Sequence, residues 1–228
     1  MKDGLPPRDP ARPVVIFLNH ASWWDPLACL ILARQLFPER TSFAPIEDSM
    51  LQRYKFFRHL GFFGVEPSVR GALKFLRVSR AILSSPSNVI WLTPQGRFSD
   101  VRERPLRLQN GLGALAAKAV DTIFLPLAFE YTFWNDSRPE ILVSFGASIV
   151  TGSDPSGSAQ EWTKKFSVAL AATQDKLAAH SSQRDASEWI TMNEGSSGVS
   201  AVYDFWRWLR ARIRGQEFER EHPAEVTR

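Results

Sequence analysis

Runs of apolar residues punctuate this chain at lengths and periods that separate strands from helices. Residues 13–18 (PVVIFL) form a short unbroken apolar run ending in Asn-His, the pattern of a buried strand. Residues 26–37 open with proline, continue with a helix-favouring apolar body and close at Pro38, so a helix is predicted there. A short strand is predicted over 41–45, and a helix over 48–60, where aromatic and basic residues fall at helical spacing before Gly61. Residues 62–65 suit a strand, and 68–83 a basic helix with Leu73, Leu76, Arg80 and Leu83 on neighbouring turns. The clearest strand is 88–92 (NVIWL), followed by a turn at Thr93-Pro94-Gln95-Gly96. A small-residue helix over 110–120, strands over 122–129 and 140–145, a loop over 152–157 and a helix over 159–179 complete the pattern. Strands alternating with helices predict a single α/β domain whose mixed sheet is largely parallel and flanked by helices. The expected boundaries are a polar N-terminal segment, 1–12, the domain itself, 13–194, and a C-terminal piece, 195–228, that opens with a Gly-Ser linker.

Composition narrows the class without naming a chemistry. Apolar residues make up 44% and charged residues 23%, an ordinary globular balance that argues against disorder in the body of the chain. The net charge is +4, so a basic binding site has to arise from local clustering. Cys29 is the only cysteine and the four histidines are scattered, so no disulfide and no metal site is expected, and a reducing compartment is. The polar, proline-rich start lacks the apolar core of a signal peptide. No stretch reaches the roughly 18–20 apolar residues of a spanning helix, so attachment to a membrane is expected to be peripheral.

Two segments carry candidate chemistry. In NHASWWD, residues 19–25, His20 is the side chain whose protonation changes nearest neutrality, suited to taking a proton from a hydroxyl and returning it. A carboxylate on one ring nitrogen fixes the tautomer, and Asp25 is available for this. On a regular helix the two would lie roughly 140° apart, so they meet only if the segment is a strand-to-helix turn. Asp25 before Pro26 also suits a plain helix start, and His20 a loop histidine. In the second segment, TPQGRFSDVRERPLR, a turn follows a buried strand and Arg97, Arg102, Arg104 and Arg107 crowd together with Asp100 and Glu103 between them. Arginine forks suit phosphate groups, while internal ion pairs on a solvated loop are the plainer alternative. His59 reads as a helix-end residue. Gly111-Leu112-Gly113 lacks the rest of a dinucleotide fingerprint, and no G-x-S-x-G elbow is present.

Taken in order, these segments resemble the lysophospholipid acyltransferase family, which includes bacterial 1-acylglycerol-3-phosphate acyltransferases. NHASWWD matches its NHxxxxD block, GFFGVEP (61–67) is similar to its second block, TPQGRFS (93–99) to its FPEGTRS block, and LPLAF (125–129) to the apolar-proline block that follows. The resemblance implies an O-acyltransferase in which His20 is the general base and Asp25 orients it. Acyl-CoA or acyl carrier protein would be the donor, a lysophospholipid or other lipid alcohol the acceptor, and no metal or organic cofactor would take part. It also implies substrate contacts from Asn19, Arg70, Pro94, Gln95, Gly96, Arg97, Arg102 and Arg104. The chain departs from the family where glycerol phosphate is recognised. The second block ends in Glu66-Pro67, leaving Arg70 as the nearest basic residue, and Gln95 replaces the usual glutamate. Arg97 comes one place early, with Phe98 in the arginine's position. An acceptor with another head group is therefore expected to be open, and a non-catalytic lipid-binding peripheral membrane module of the same fold is the alternative.

Residues 200–214 (SAVYDFWRWLRARIR) read as a basic amphipathic helix. Val202, Phe205, Trp206, Leu209 and Ile213 share one face, with arginines around the rest. Such a helix lies in a bilayer interface or packs on its own domain, and periodicity does not separate the two. The implied substrates favour the membrane, on its cytoplasmic side. Nucleic acid is not an expected partner, because the tail's tryptophans follow the amphipathic pattern.

Overall fold

The structure is a computed structural model that describes residues 6, 9–133, 139–153 and 156–193. The chain divides into two compact units, Met1–Ile190 and Thr191–Arg228. Every element below belongs to the first, and the helix expected over 200–214 lies outside the described residues.

Seven strands form one sheet: β1 (Val14–Leu18), β2 (Thr41–Glu47), β3 (Phe62–Val65), β4 (Asn88–Leu92), β5 (Ile123–Thr132), β6 (Glu140–Phe145) and β7 (Ile149–Val150). Their order is β3-β2-β4-β1-β5-β6, with β7 also on β5. The first five strands in that order run parallel, and β6 and β7 pair antiparallel with β5. This is the largely parallel α/β sheet expected from the alternation of strands and helices.

The core explains why β1 reads as an unbroken apolar run. All five of its residues are buried, because both faces of a central parallel strand are covered. Val15 and Phe17 point to one side, where they join Ile90, Leu92 and Phe124 beneath α4 (Asn110–Ala116) and α5 (Ala159–Gln183). Phe166 of α5 stacks within 5.0 Å of both Phe17 and Phe124. Elsewhere α1 (Asp25–Leu36) buries Ala28, Leu32 and Ala33, and Phe37 at its end meets Trp91 edge-on. Ser68 caps α3 (Val69–Ile82) by accepting from the Gly71 N–H, and Ser158 with Glu161 forms a full capping box on α5.

One expectation fails locally. The single helix over 48–60 is two pieces, α2 (Asp48–Arg53) and a 3-10 turn (Lys55–Leu60). Tyr54 leaves the helical region at φ −119°, ψ 72°. The aromatic residues that follow are weak helix formers and pack on one another instead, Phe57 against Tyr54, Phe56 and Phe62. Gly61 ends the turn in the left-handed region, where a Cβ would sit 2.1 Å from the Ser42 carbonyl oxygen.

The topology fixes where a ligand belongs. From β1 the chain crosses by way of α1 to β2 on one side, and from β4 by way of α4 to β5 on the other. The carboxyl ends of adjacent β1 and β4 therefore face a topological switch point, where open α/β sheets bind ligands. Both candidate segments begin there.

Candidate active site

Residues 19–24 turn from the end of β1 into α1, and this bend closes the gap that a regular helix would leave between His20 and Asp25. His20 Nδ1 lies 2.6 Å from Asp25 Oδ2. A carboxylate only accepts, so the proton on this contact sits on Nδ1 and leaves the Nε2 lone pair available. Asp25 is 1% exposed, while the His20 side chain is 20% exposed and reachable. The carboxylate accepts two further bonds, from the Ser22 N–H at 3.2 Å and from the Tyr131 hydroxyl at 2.6 Å. Asp25 starts α1, yet none of these bonds caps the helix. Its side chain bonds His20, Ser22 and Tyr131 instead.

The second segment holds the His20 backbone and packs one ring against its imidazole. The His20 N–H donates to Gln95 Oε1 at 2.9 Å, and the Ser99 N–H donates to the His20 carbonyl at 2.8 Å. The Phe98 ring lies 4.3 Å from the imidazole, centre to centre. Gln95 is buried, and its amide makes this bond without adding a second negative charge beside Asp25. Gly96 adopts φ +68°, which the tight Thr93–Gly96 turn requires, and the Pro94 carbonyl accepts from the Gln109 N–H. The β4 turn thus clamps the backbone of the β1 turn.

Asn19 acts on the sheet. Its Oδ1 accepts from the Phe129 N–H at 2.8 Å and its Nδ2 donates to the Phe129 carbonyl at 3.0 Å. The side-chain amide imitates one more rung of the β1–β5 ladder beyond Leu18–Leu127. Replacing Asn19 with alanine would orphan two buried backbone groups at about 1–3 kcal/mol each. Asn19→Ala is expected to lose about 2–6 kcal/mol of stability, measured by urea denaturation.

The arginines lie elsewhere in the loop. Arg97 pairs with Glu103, Arg102 makes a two-pronged bond to Asp100 at 2.7 and 2.8 Å, and Arg104 ties the loop to Asp175 of α5. The hydrogen bonds from Arg102 hold the Asp100 carboxyl well below the usual carboxylate range. Arg70, in the first turn of α3, is exposed and forms no ion pair among the described residues; the same holds for Arg107. Hydrogen bonds thus join His20, Asp25 and Gln95, with Asn19 alongside, while three of the expected arginines are committed to carboxylates.

Tyr131 is the site residue that the sequence does not signal. It stands 106 residues from Asp25 and arrives through the β1–β5 pairing. Burial, then its bond to Asp25, pushes the phenol above its ordinary range, so it remains a donor throughout the neutral region. Burial and the Asp25 charge push the Cys29 thiol up as well, which keeps it protonated. Tyr131→Phe removes one of three donors to a buried carboxylate, a bond worth about 1.5–3 kcal/mol. If that bond holds Asp25 in place for His20, kcat is expected to fall by roughly tenfold with KM unchanged, since one factor of ten is about 1.4 kcal/mol. Steady-state kinetics checks this, and a change in KM alone would point to a substrate contact.

Comparison with known proteins gives one finding. A family model described as Acyltransferase matches residues 3–130, more than half of the chain and the part that carries Asn19, His20, Asp25 and Gln95. No curated protein matches the chain.

Proposed function

Since the chain belongs to the acyltransferase family and is an acyl-transferring enzyme with a donor and an acceptor substrate, we propose that it moves a fatty acyl group from acyl-CoA or acyl carrier protein to the hydroxyl of a lysophospholipid or other lipid alcohol. The observation that supports this most is the 2.6 Å contact between His20 Nδ1 and the buried Asp25 carboxylate, which leaves Nε2 as a base at the switch point. His20 Nε2 takes the alcohol proton as the oxygen attacks the thioester carbonyl carbon. The tetrahedral species collapses, the C–S bond breaks, and the imidazolium proton goes to the departing thiolate, giving an ester and a free thiol. Asp25 holds the ring and stabilises its charge during the step. The reaction as proposed needs no metal or organic cofactor.

In this reading the acceptor's head group extends beyond the glycerol phosphate that the family's usual motif recognises. Arg97, Arg102 and Arg104 already carry carboxylate partners, while Arg70 and Arg107 form no ion pair among the described residues. With both an acyl chain and a lipid alcohol to handle, the enzyme works at a membrane surface, on the cytoplasmic side where the thioester donors are. The test offers labelled acyl-CoA and, separately, labelled acyl carrier protein, each with lysophospholipid or a total lipid extract. A labelled lipid ester is expected from at least one pairing. Release of labelled free fatty acid alone would mean that water is the acceptor, and the lipid reading would fall.

A further inference from the structure

The outward side of α1 carries large apolar side chains where a solvated helix carries polar ones. Trp24, Leu27 and Ile31 recur at spacings of three and four, with Trp23 beside them, and they are 56, 44, 42 and 68% exposed, respectively. One turn further the same side ends in exposed Arg34. Beyond it a groove of about 490 Å³ separates the end of α1 from residues 58–61, with Arg34, Arg58, His59 and Leu60 among its walls. Leu60 in the groove wall is exposed, as are Tyr54 and Phe56 just before it in the chain.

Charge identifies the occupant. Among the described residues no carboxylate lines the groove, and neither Arg34 nor Arg58 forms an ion pair. Three arginines of the loop after β4 behave differently, since Arg97, Arg102 and Arg104 have carboxylate partners. Arg40, also in the groove, is held by the backbone carbonyls of Asp9, Arg12 and Pro86. Tryptophans beside aliphatic residues, bordered by unneutralised arginines, match the boundary of an anionic bilayer, where indoles settle and guanidinium groups meet phosphates. Trp23 and Trp24 lie between His20 and Asp25 in the chain, so the apolar side starts at the catalytic turn itself.

We propose that this face, from Trp23 and Trp24 along α1 to Arg34 and Arg58, rests on an anionic lipid surface and delivers the lipid hydroxyl beside His20. The inference builds on the reading of the acceptor as a membrane lipid. It commits to a membrane as the occupant, over a second copy of the chain or another protein.

The full chain is incubated with vesicles of phosphatidylcholine, with and without phosphatidylglycerol, and sedimented. Wild type is expected to bind the anionic vesicles at least tenfold better than the neutral ones. Leu27→Glu with Ile31→Glu is expected to lower binding tenfold or more, and Arg34→Glu with Arg58→Glu to remove the preference for phosphatidylglycerol. Should the glutamate pairs fail to fold, brominated lipid provides a second measurement. Its quenching of wild-type fluorescence should weaken in Trp23→Phe with Trp24→Phe. Wild-type binding by all the glutamate variants would overturn the proposal, because residues 200–214 or another surface would then carry the attachment. Failure of wild type to bind anionic vesicles would overturn it too, as would a wild-type dimer that those variants split into monomers. Binding through this face with no acyl transfer to any lipid would support the surface and sink only the reading of the acceptor.

Discussion

Replacing His20 with alanine is expected to lower kcat for acyl transfer by about 10²–10⁴-fold, the usual worth of a positioned general base. The protein should stay folded. His20 contributes to the fold mainly through its backbone, which bonds Gln95 and Ser99, and alanine retains both contacts. The lost ring contact with Phe98 is near the surface, since Phe98 is exposed. Asp25 loses one donor but keeps the Ser22 N–H and the Tyr131 hydroxyl, so its buried charge is not abandoned. KM for the thioester should change little, because the proton transfer occurs in the transition state and the base adds little to ground-state binding. The measurement is label transfer from acyl thioester to lipid, with circular dichroism as the control for folding. A folded variant with near wild-type turnover would remove His20 as the base.

Much of this arrangement is legible in the residues, and the illegible part has a physical cause. β1 is readable because a strand buried on both faces shows continuous hydrophobicity, as PVVIFL does. The His20–Asp25 meeting is readable because five residues on a helix would separate them, while a strand-to-helix bend joins them. The break at Tyr54 is not readable from period alone. Aromatic and basic residues at 48–60 fit a helix, but their contacts with one another and with Phe62 favour a 3-10 turn. β7, two residues long, is too short to show any period. Tyr131 was hidden for a different reason. A hydroxyl two residues beyond LPLAF has no local meaning, and only the parallel register of β5 on β1 brings it to Asp25. The arginine loop divides the same way. Asp100 and Glu103 stand in the sequence as partners for Arg102 and Arg97, whereas Asp175 reaches Arg104 only because α5 packs nearby.

Asp25→Asn is expected to lower kcat by about 10³–10⁴-fold, because the amide fails in either orientation. Asp25 Oδ2 now receives two N–H groups, from His20 and Ser22, and Oδ1 receives the Tyr131 hydroxyl. If the amide nitrogen faces His20, a donor meets Nδ1. The ring must then carry its proton on Nε2, where it cannot accept one from the alcohol, and the Ser22 N–H loses its partner. If the amide oxygen faces His20, the tautomer survives, but no negative charge balances the imidazolium that forms as the alcohol is deprotonated. The decisive measurement combines this change with His20→Ala. Once the imidazole is gone, the carboxylate has no ring to orient, so the double variant should be no slower than the slower single variant. Multiplying losses would mean that Asp25 acts on the substrate by a route of its own, and the two residues would then not work as a pair.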